Sequence, residues 1–270
     1  RSVFEGLNIV LIQFANSLMK KFHNSSVFNC SVATQKKYLE KFPLPQNDVE
    51  RSFFQYKCQM KLDGFFTSAL LNFCSLPLLF FYLFSLQKNK VNYTTSADAI
   101  FFRDGKPCNI LPENLRQEYK YIEYNPVEQM LLTDKDIILI KRIIRKYPLS
   151  WYFLLKNILK ISKYSYAILM YKPKAIIVCA EYSFTSSILT EYCNSQQIEH
   201  INVMHGEKLF YIRDSFFHFN RCYVWDSFYK RLFFELHAEK NQFHIAIPTS
   251  LKFKILQPVP HKFNYTYYLG

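Results

Sequence analysis

Residues 174–208 read KAIIVCAEYSFTSSILTEYCNSQQIEHINVMHGEK, and this stretch decides the fold. The run AIIVCA at 175–180 is short, rich in β-branched residues and uninterrupted by polar side chains, which is typical of a buried parallel strand. A helix-like segment over 184–194 follows, and HINVM at 200–204 reads as a second strand. The order strand, helix, strand predicts a βαβ unit with two adjacent parallel strands.

Polar side chains follow both predicted strands of this unit. Those after the first strand are Glu181, Tyr182 and Ser183, and those after the second are His205, Gly206, Glu207 and Lys208. In open α/β sheets, ligands bind just beyond the carboxyl ends of the strands. We therefore predict one cleft at this edge of the sheet, lined by Glu181, Ser183, His205 and Glu207.

The rest of the chain continues to alternate strands with helices. Further strands are predicted at 26–32, 99–102, 221–225 and 242–247, and further helices at 4–18, 35–41, 134–147, 150–170 and 227–237. Thr133 and Asp136 have the spacing of a helix start, and Asp226 can cap the helix that follows it. The fold class is α/β, with a Rossmann-like parallel sheet flanked by helices. The chain has no Gly-x-Gly-x-x-Gly and no Walker A loop, so we expect no dinucleotide, ATP or other cofactor.

Charge and cysteine content narrow the class of protein. The 270 residues carry 34 basic and 21 acidic side chains, a formal net charge of +13, which favours an anionic partner. Nucleotide sugars and phospholipid headgroups fit, whereas nucleic acid is not expected because no RNA-binding signature or arginine-rich tail is present. The scattered lysines also fit a solvated helix face. The 7 cysteines contain no Cys-x-x-Cys pair, which predicts reduced thiols in a cytosolic protein and no structural zinc.

Residues 64–87 contain no charged side chain and are flanked by Lys61 and Lys88. The segment is near the ~20 residues that a membrane-spanning helix needs, but Pro77 interrupts it. Two other interpretations are a pair of short helices broken about Pro77 and packed on the sheet, or an apolar flap at a membrane surface. In the flap, Lys61, Lys88 and Lys90 would meet anionic headgroups. We expect packing for most of these residues, with some apolar surface left exposed.

Three stretches together carry a family resemblance: AEYSFTSSILTEYC at 180–193, INVMHGEK at 201–208 and RCYVWDSFYKRLF at 221–233. They resemble the N-terminal, acceptor-side half of bacterial GT-B glycosyltransferases of surface and capsular polysaccharide synthesis. The likeness covers 147–247 well and the first hundred residues loosely. Related His-Gly turns also occur in enzymes that transfer polyol phosphates for teichoic acids.

The resemblance implies a domain organisation and a function. Residues 1–260 would form the N-terminal domain, with an apolar helical insertion at about 56–90. Residues 261–270 would begin a truncated C-terminal domain, the part that holds the donor in the family. The implied activity is metal-independent transfer of a sugar from a nucleotide-sugar donor to a growing glycan or lipid-linked acceptor. The enzyme would work in the cytoplasm at the inner face of the plasma membrane, so that a membrane surface is a candidate partner. The alternatives are a polyol-phosphate transferase and a non-catalytic, membrane-peripheral assembly protein with the same fold.

Glycosyl transfer by direct displacement needs a general base on the acceptor hydroxyl and stabilisation of the leaving phosphate. His205 and Glu181 are the candidate catalytic bases because each follows a predicted strand. The candidate substrate-binding residues are Tyr182, Ser183, Gly206, Glu207 and Lys208. Asp104, after the strand at 99–102, is a further candidate. In the structural alternative, His205 only bonds to backbone and Glu181 caps the next helix.

Overall fold

The computed structural model describes residues 30–85, 96–102, 110–124, 130–179 and 182–251. Within them lie eight α-helices: α1 (Val32–Leu39), α2 (Asp48–Asp63), α3 (Phe65–Ser85), α4 (Glu113–Glu118), α5 (Asp134–Lys146), α6 (Trp151–Tyr171), α7 (Ser186–Asn194) and α8 (Ser227–Glu235). The strands are β1 (Ala99–Phe102), β2 (Tyr121–Tyr124), β3 (Ala175–Val178), β4 (Glu199–Val203), β5 (Arg221–Val224) and β6 (Phe243–Ile245).

The six strands form one parallel sheet in the order β2-β1-β3-β4-β5-β6, which confirms the predicted α/β class with a Rossmann-like parallel sheet. The chain first steps outward from β1 to β2, then crosses back over β1 to reach β3. Every later strand is added on the far side of β3. The direction of winding therefore reverses between β1 and β3, which is the switch point beside which doubly wound proteins bind ligands.

Alternation along the strands divides the core into two layers. Ile176 and Val178 of β3 face a large cluster built with the long helices, whereas Ala175 and Ile177 face a smaller cluster that includes Leu115 of α4. All four residues of β3 are buried. This accounts for the unbroken apolar run that identified the strand, because a strand covered on both faces has no polar side to display.

Capping residues determine where two of the helices begin. The Thr133 side chain accepts from the Asp136 N–H while the Asp136 carboxylate accepts from the Thr133 N–H, so the predicted helix start is a complete capping box. The Asp226 carboxylate accepts from the N–H groups of Phe228 and Tyr229 at 2.7 and 3.2 Å. These caps confirm the predicted helix starts, and the second one places α8 directly beyond the end of β5.

Two local predictions are wrong. Val32 belongs to α1 and not to a strand, because the Ser31 hydroxyl accepts from the Thr34 N–H and caps a helix. The uncharged segment is not broken at Pro77, which lies inside the continuous helix α3; the break comes earlier, at Gly64, where φ is +81°. Pro77 and Phe73 both lie on the exposed side of α3, so solvent can bond to the Phe73 carbonyl that Pro77 leaves without a donor.

Several predicted features lie outside the described residues. They are the helix at 4–18, the candidates Asp104 and Glu181, the lysines Lys88 and Lys90, and the proposed domain start at 261–270. Residues 26–29 of the rejected strand also lie outside them. The strand β2 and the helix α4 are described but were not predicted.

Candidate active site at the carboxyl edge of the sheet

The predicted site residues follow β3 and β4, which are neighbours in the sheet. Their register pairs Val178 with Asn202, so both strands end at nearly the same level. Ser183 is half-buried, and its hydroxyl lies 2.8 Å from the Thr185 hydroxyl. Its carbonyl accepts from the backbone N–H and the hydroxyl of Ser186 at 3.0 and 2.8 Å. Ser183 therefore shapes the turn into α7 with its backbone and keeps one side at the edge.

His205 lies two residues beyond β4 and is half-buried. Its Nδ1 is buried. Gly206 follows, and a Cβ added to it would meet no atom within 4 Å. Packing in the described structure does not require a glycine at this position. The space in front of Gly206 is open, next to the imidazole.

Lys208 turns inward from the same loop. Its Nζ lies 3.1 Å from an Asp214 carboxylate oxygen, in the short 3-10 helix Ile212–Asp214, and 4.2 Å from the centre of the Tyr182 ring. The side chains of Lys208 and Asp214 are only 17% and 12% exposed. An ammonium held by a carboxylate and an aromatic face is fixed in place. Lys208 therefore anchors the loop at 205–208, which we call the His205 loop, and places a positive charge at its base.

The Tyr182 ring packs against the Lys208 ammonium group from the protein interior. The residue is 3% exposed, and its ring stacks on Phe233 with centroids 5.4 Å apart and meets Phe217 edge-on at 5.1 Å. Burial raises the pKa of its hydroxyl well above the ordinary value. Burial also raises the pKa of the nearby Cys222 thiol to about 12, so both groups stay neutral. Tyr182 therefore supports the edge from below, and its buried side chain offers no surface to a substrate.

Glu207 is exposed. It follows β4, but its carboxylate lies near side chains that follow β5. Burial raises the pKa of the Tyr229 hydroxyl, and the neighbouring carboxylates of Glu207 and Asp226 raise it further. The Trp225 indole N–H donates to the Met204 carbonyl at 3.2 Å and so joins the ends of β4 and β5. Sequence reasoning did not single out Trp225 or Tyr229 beside Glu207. The strand-end rule that selected His205 as a candidate would have included Trp225, which directly follows β5, whereas Tyr229 lies within α8.

A separate groove of about 390 Å³ opens beside the start of α2. Its lining includes Asp48, Arg51, His218 and Glu239. Side chains in it bond to each other: His218 Nδ1 lies 2.7 Å from an Asp48 carboxylate oxygen, and Arg51 bonds to Glu239. His218 and Glu239 precede β5 and β6, so the groove lies towards the amino ends of the strands. These bonds hold α2 against the body of the protein, at the edge opposite to the predicted site.

Among the described residues no group of three or more His, Cys, Asp or Glu side chains is arranged to hold a metal ion. Comparison with protein-family models, with curated proteins and with solved structures finds no significant match for this chain.

Proposed function

We propose that this chain is the acceptor-side half of a glycosyltransferase that transfers a sugar from a nucleotide-sugar donor to a growing cell-surface glycan or a lipid-linked acceptor. The observation that carries the proposal is the His205 loop. It combines a half-buried imidazole, open space at Gly206 and an exposed carboxylate at Glu207, all at the carboxyl edge of a parallel sheet. The family resemblance of 180–233 supports the same assignment.

The loop offers the groups that the reaction needs. The His205 imidazole would accept the proton of the acceptor hydroxyl. The oxygen of that hydroxyl would form a bond to the anomeric carbon of the donor sugar. The bond from that carbon to the donor phosphate breaks, and the nucleotide leaves with the electron pair. Glu207 would hold neighbouring hydroxyls of the acceptor, because an exposed carboxylate accepts hydrogen bonds from a sugar. Lys208, fixed by Asp214, would place positive charge near the departing phosphate.

The proposal includes a cytoplasmic location, as the family resemblance implies. Cys58, Cys193 and Cys222 are free, buried thiols, which is compatible with a reducing compartment.

The test is turnover by the protein made from its complete gene, with membrane extract as the source of acceptor. Two panels of donors are used, one of nucleotide sugars and one of nucleotide-activated polyol phosphates. Sugar transfer with release of the nucleotide supports the proposal. Transfer only from nucleotide-activated polyol phosphates identifies the polyol-phosphate alternative instead. If no donor in either panel binds or turns over while the protein is folded, the transferase proposal fails and the assembly-protein alternative replaces it.

A further inference from the structure

The outer side of α3 is an apolar stripe that runs the length of the helix. It consists of Phe66, Leu70, Phe73, Pro77, Phe80 and Phe84, and we call these six residues the α3 stripe. Their spacing of four, three, four, three and four positions keeps them on one side of a helix. Phe66, Phe73 and Phe84 are 87%, 71% and 75% exposed. An exposed apolar surface of this size and order marks a contact with another molecule or a membrane.

The opposite side of α3 is bound to the protein. Ser75, Leu79 and Tyr82 are buried. The Asn72 side chain donates to the Leu149 carbonyl at 3.0 Å and accepts from the Tyr152 N–H at 3.1 Å, at the start of α6. Alone among the helices of the described residues, α3 is long and apolar enough to cross a bilayer. To cross it, however, α3 would have to leave α6 and lose these bonds. The packing therefore favours a helix that lies along a surface.

Positive charge gathers where α3 begins. Lys57 and Lys61 lie one turn apart at the end of α2, and Lys41 and Lys61 place their ammonium groups 5.7 and 5.9 Å from the centre of the Tyr38 ring. All three lysines are exposed, and Phe65–Ser85 contains no charged residue. A second copy of the chain carries the same positive charge and so offers these lysines no complementary charge. An anionic bilayer is attracted by them.

We propose that the α3 stripe docks in the plane of an anionic phospholipid bilayer, with Lys41, Lys57 and Lys61 at the headgroups. The phenylalanine rings enter the boundary between headgroups and acyl chains, as in interfacial helices. Leu149, which is 74% exposed and follows α5, extends the apolar surface beside Asn72. The docking would hold the body of the protein against the membrane with the sheet in the aqueous phase. The proposal does not depend on transferase activity.

The first experiment is flotation of the full chain with vesicles of phosphatidylcholine alone or mixed with phosphatidylglycerol. We expect strong partitioning of the wild-type chain to the mixed vesicles. Partitioning of Phe73→Glu/Phe80→Glu should be at least about tenfold weaker, since two rings that would enter the bilayer are replaced by charges. The matched control is Ile247→Glu, because Ile247 is 52% exposed, close to the 55% of Phe80, but lies beyond β6. Phe66→Glu provides a second disruption at a position that makes little contact with the fold. Circular dichroism checks that every variant is folded.

The second experiment uses Cys74, the exposed cysteine among those described, which lies next to Phe73 on α3. A polarity-sensitive fluorophore on Cys74 should shift to the blue with mixed vesicles, and bromine-labelled lipid should quench it. Lys57→Gln/Lys61→Gln should weaken the preference for anionic vesicles.

The proposal is overturned if the wild-type chain does not bind vesicles, or if Phe73→Glu/Phe80→Glu binds as well as wild type. It is also overturned if light scattering finds a wild-type dimer that this variant converts to monomer.

Discussion

The two ends of β4 and β5 hold charge in opposite ways. At the amino ends, the Arg221 guanidinium bonds to both carboxylate oxygens of Glu199 at 2.6 and 2.8 Å and to both of Glu118 at 2.7 and 2.8 Å. Tyr119 completes the group by donating to Glu199 at 2.7 Å. At the carboxyl ends, Glu207 is exposed and the space before Gly206 is open. Charges that satisfy each other stabilise a fold, whereas a charge left at an open edge is available to a ligand. The amino edge therefore stabilises the fold, and the carboxyl edge is where we propose that the chemistry takes place.

The largest expected effect is at His205. We expect His205→Gln to lower the rate of sugar transfer by about 10²–10⁴-fold, the usual contribution of a general base, with no change in the free energy of unfolding. The matched control is His244→Gln, because His244 is an exposed histidine of the same sheet on β6. Rates are measured as a function of pH, since loss of a base removes its titration from the profile. Equal activity of His205→Gln and wild type would show that the carboxyl edge lacks the proposed base.

At the amino edge the expected effect is on stability. Arg221→Ala leaves Glu118 and Glu199 without their cation and should lower the free energy of unfolding by about 2 kcal/mol, less than for a fully buried pair because both carboxylates are partly exposed. Activity per folded molecule should be unchanged. The control is Arg142→Ala: Arg142 is 55% exposed and pairs with Glu191, so about 0–1 kcal/mol is expected. Urea denaturation measures both. If Arg221→Ala instead abolished activity in a stable protein, the assignment of the two edges would be reversed.

Sequence reasoning identified strands that are buried on both faces and helices that begin with a clear cap. The run at 175–178 and the Thr133–Asp136 box are examples, because each signal is local. It missed β2, whose residues YIEY are not fully buried and lie on the edge strand of the sheet. An edge strand needs no continuous apolar run, so its sequence resembles that of a loop. The direction of winding also could not be predicted, since it depends on which side of β1 the later strands are added.

The candidate site could also be predicted only in part. Strand ends predict His205 and Glu207 as candidates, because βαβ connectivity brings such residues to one edge of the sheet. The inward position of Lys208 was not predictable, since a lysine after a strand is usually solvated and only the fold brings Asp214 and Tyr182 to it. The exposed side of α3 was equally unpredictable. The helix has no charged residue, and its polar residues Asn72 and Ser75 lie on the side that packs, which is the reverse of the usual amphipathic pattern.

A smaller effect separates the two glycines of the described residues. Neither would place a Cβ within 4 Å of another atom, but Gly64 has φ of +81° whereas Gly206 has no such constraint. Gly64 also has ψ of 165°, a combination that essentially only glycine adopts, so Gly64→Ala should cost about 1 kcal/mol or more in the free energy of unfolding without affecting transfer. Gly206→Ala should leave stability equal or slightly higher, and should lower the rate of transfer about tenfold because the methyl group enters the space given to the substrate. Thermal melts and initial rates measure the two properties. An active Gly206→Ala would show that no ligand uses that space.

The smallest expected effect is the acid response of the amino edge. Hydrogen bonding to Arg221 holds the pKa of Glu118 below its unfolded value of about 4.5. A carboxyl group with a lowered folded pKa stabilises the fold above its unfolded pKa, and this contribution is lost as the pH falls through the folded value. The difference in unfolding free energy between wild type and Arg221→Ala should therefore be constant above pH of about 4.5 and narrow below it. Lys174→Ala is the control, because Lys174 lowers the pKa of another carboxyl group, that of Asp98. Its variant should keep the wild-type response of Glu118. A difference that stayed constant through the acid range would mean that Arg221 stabilises this edge by packing and not through the charge of Glu118.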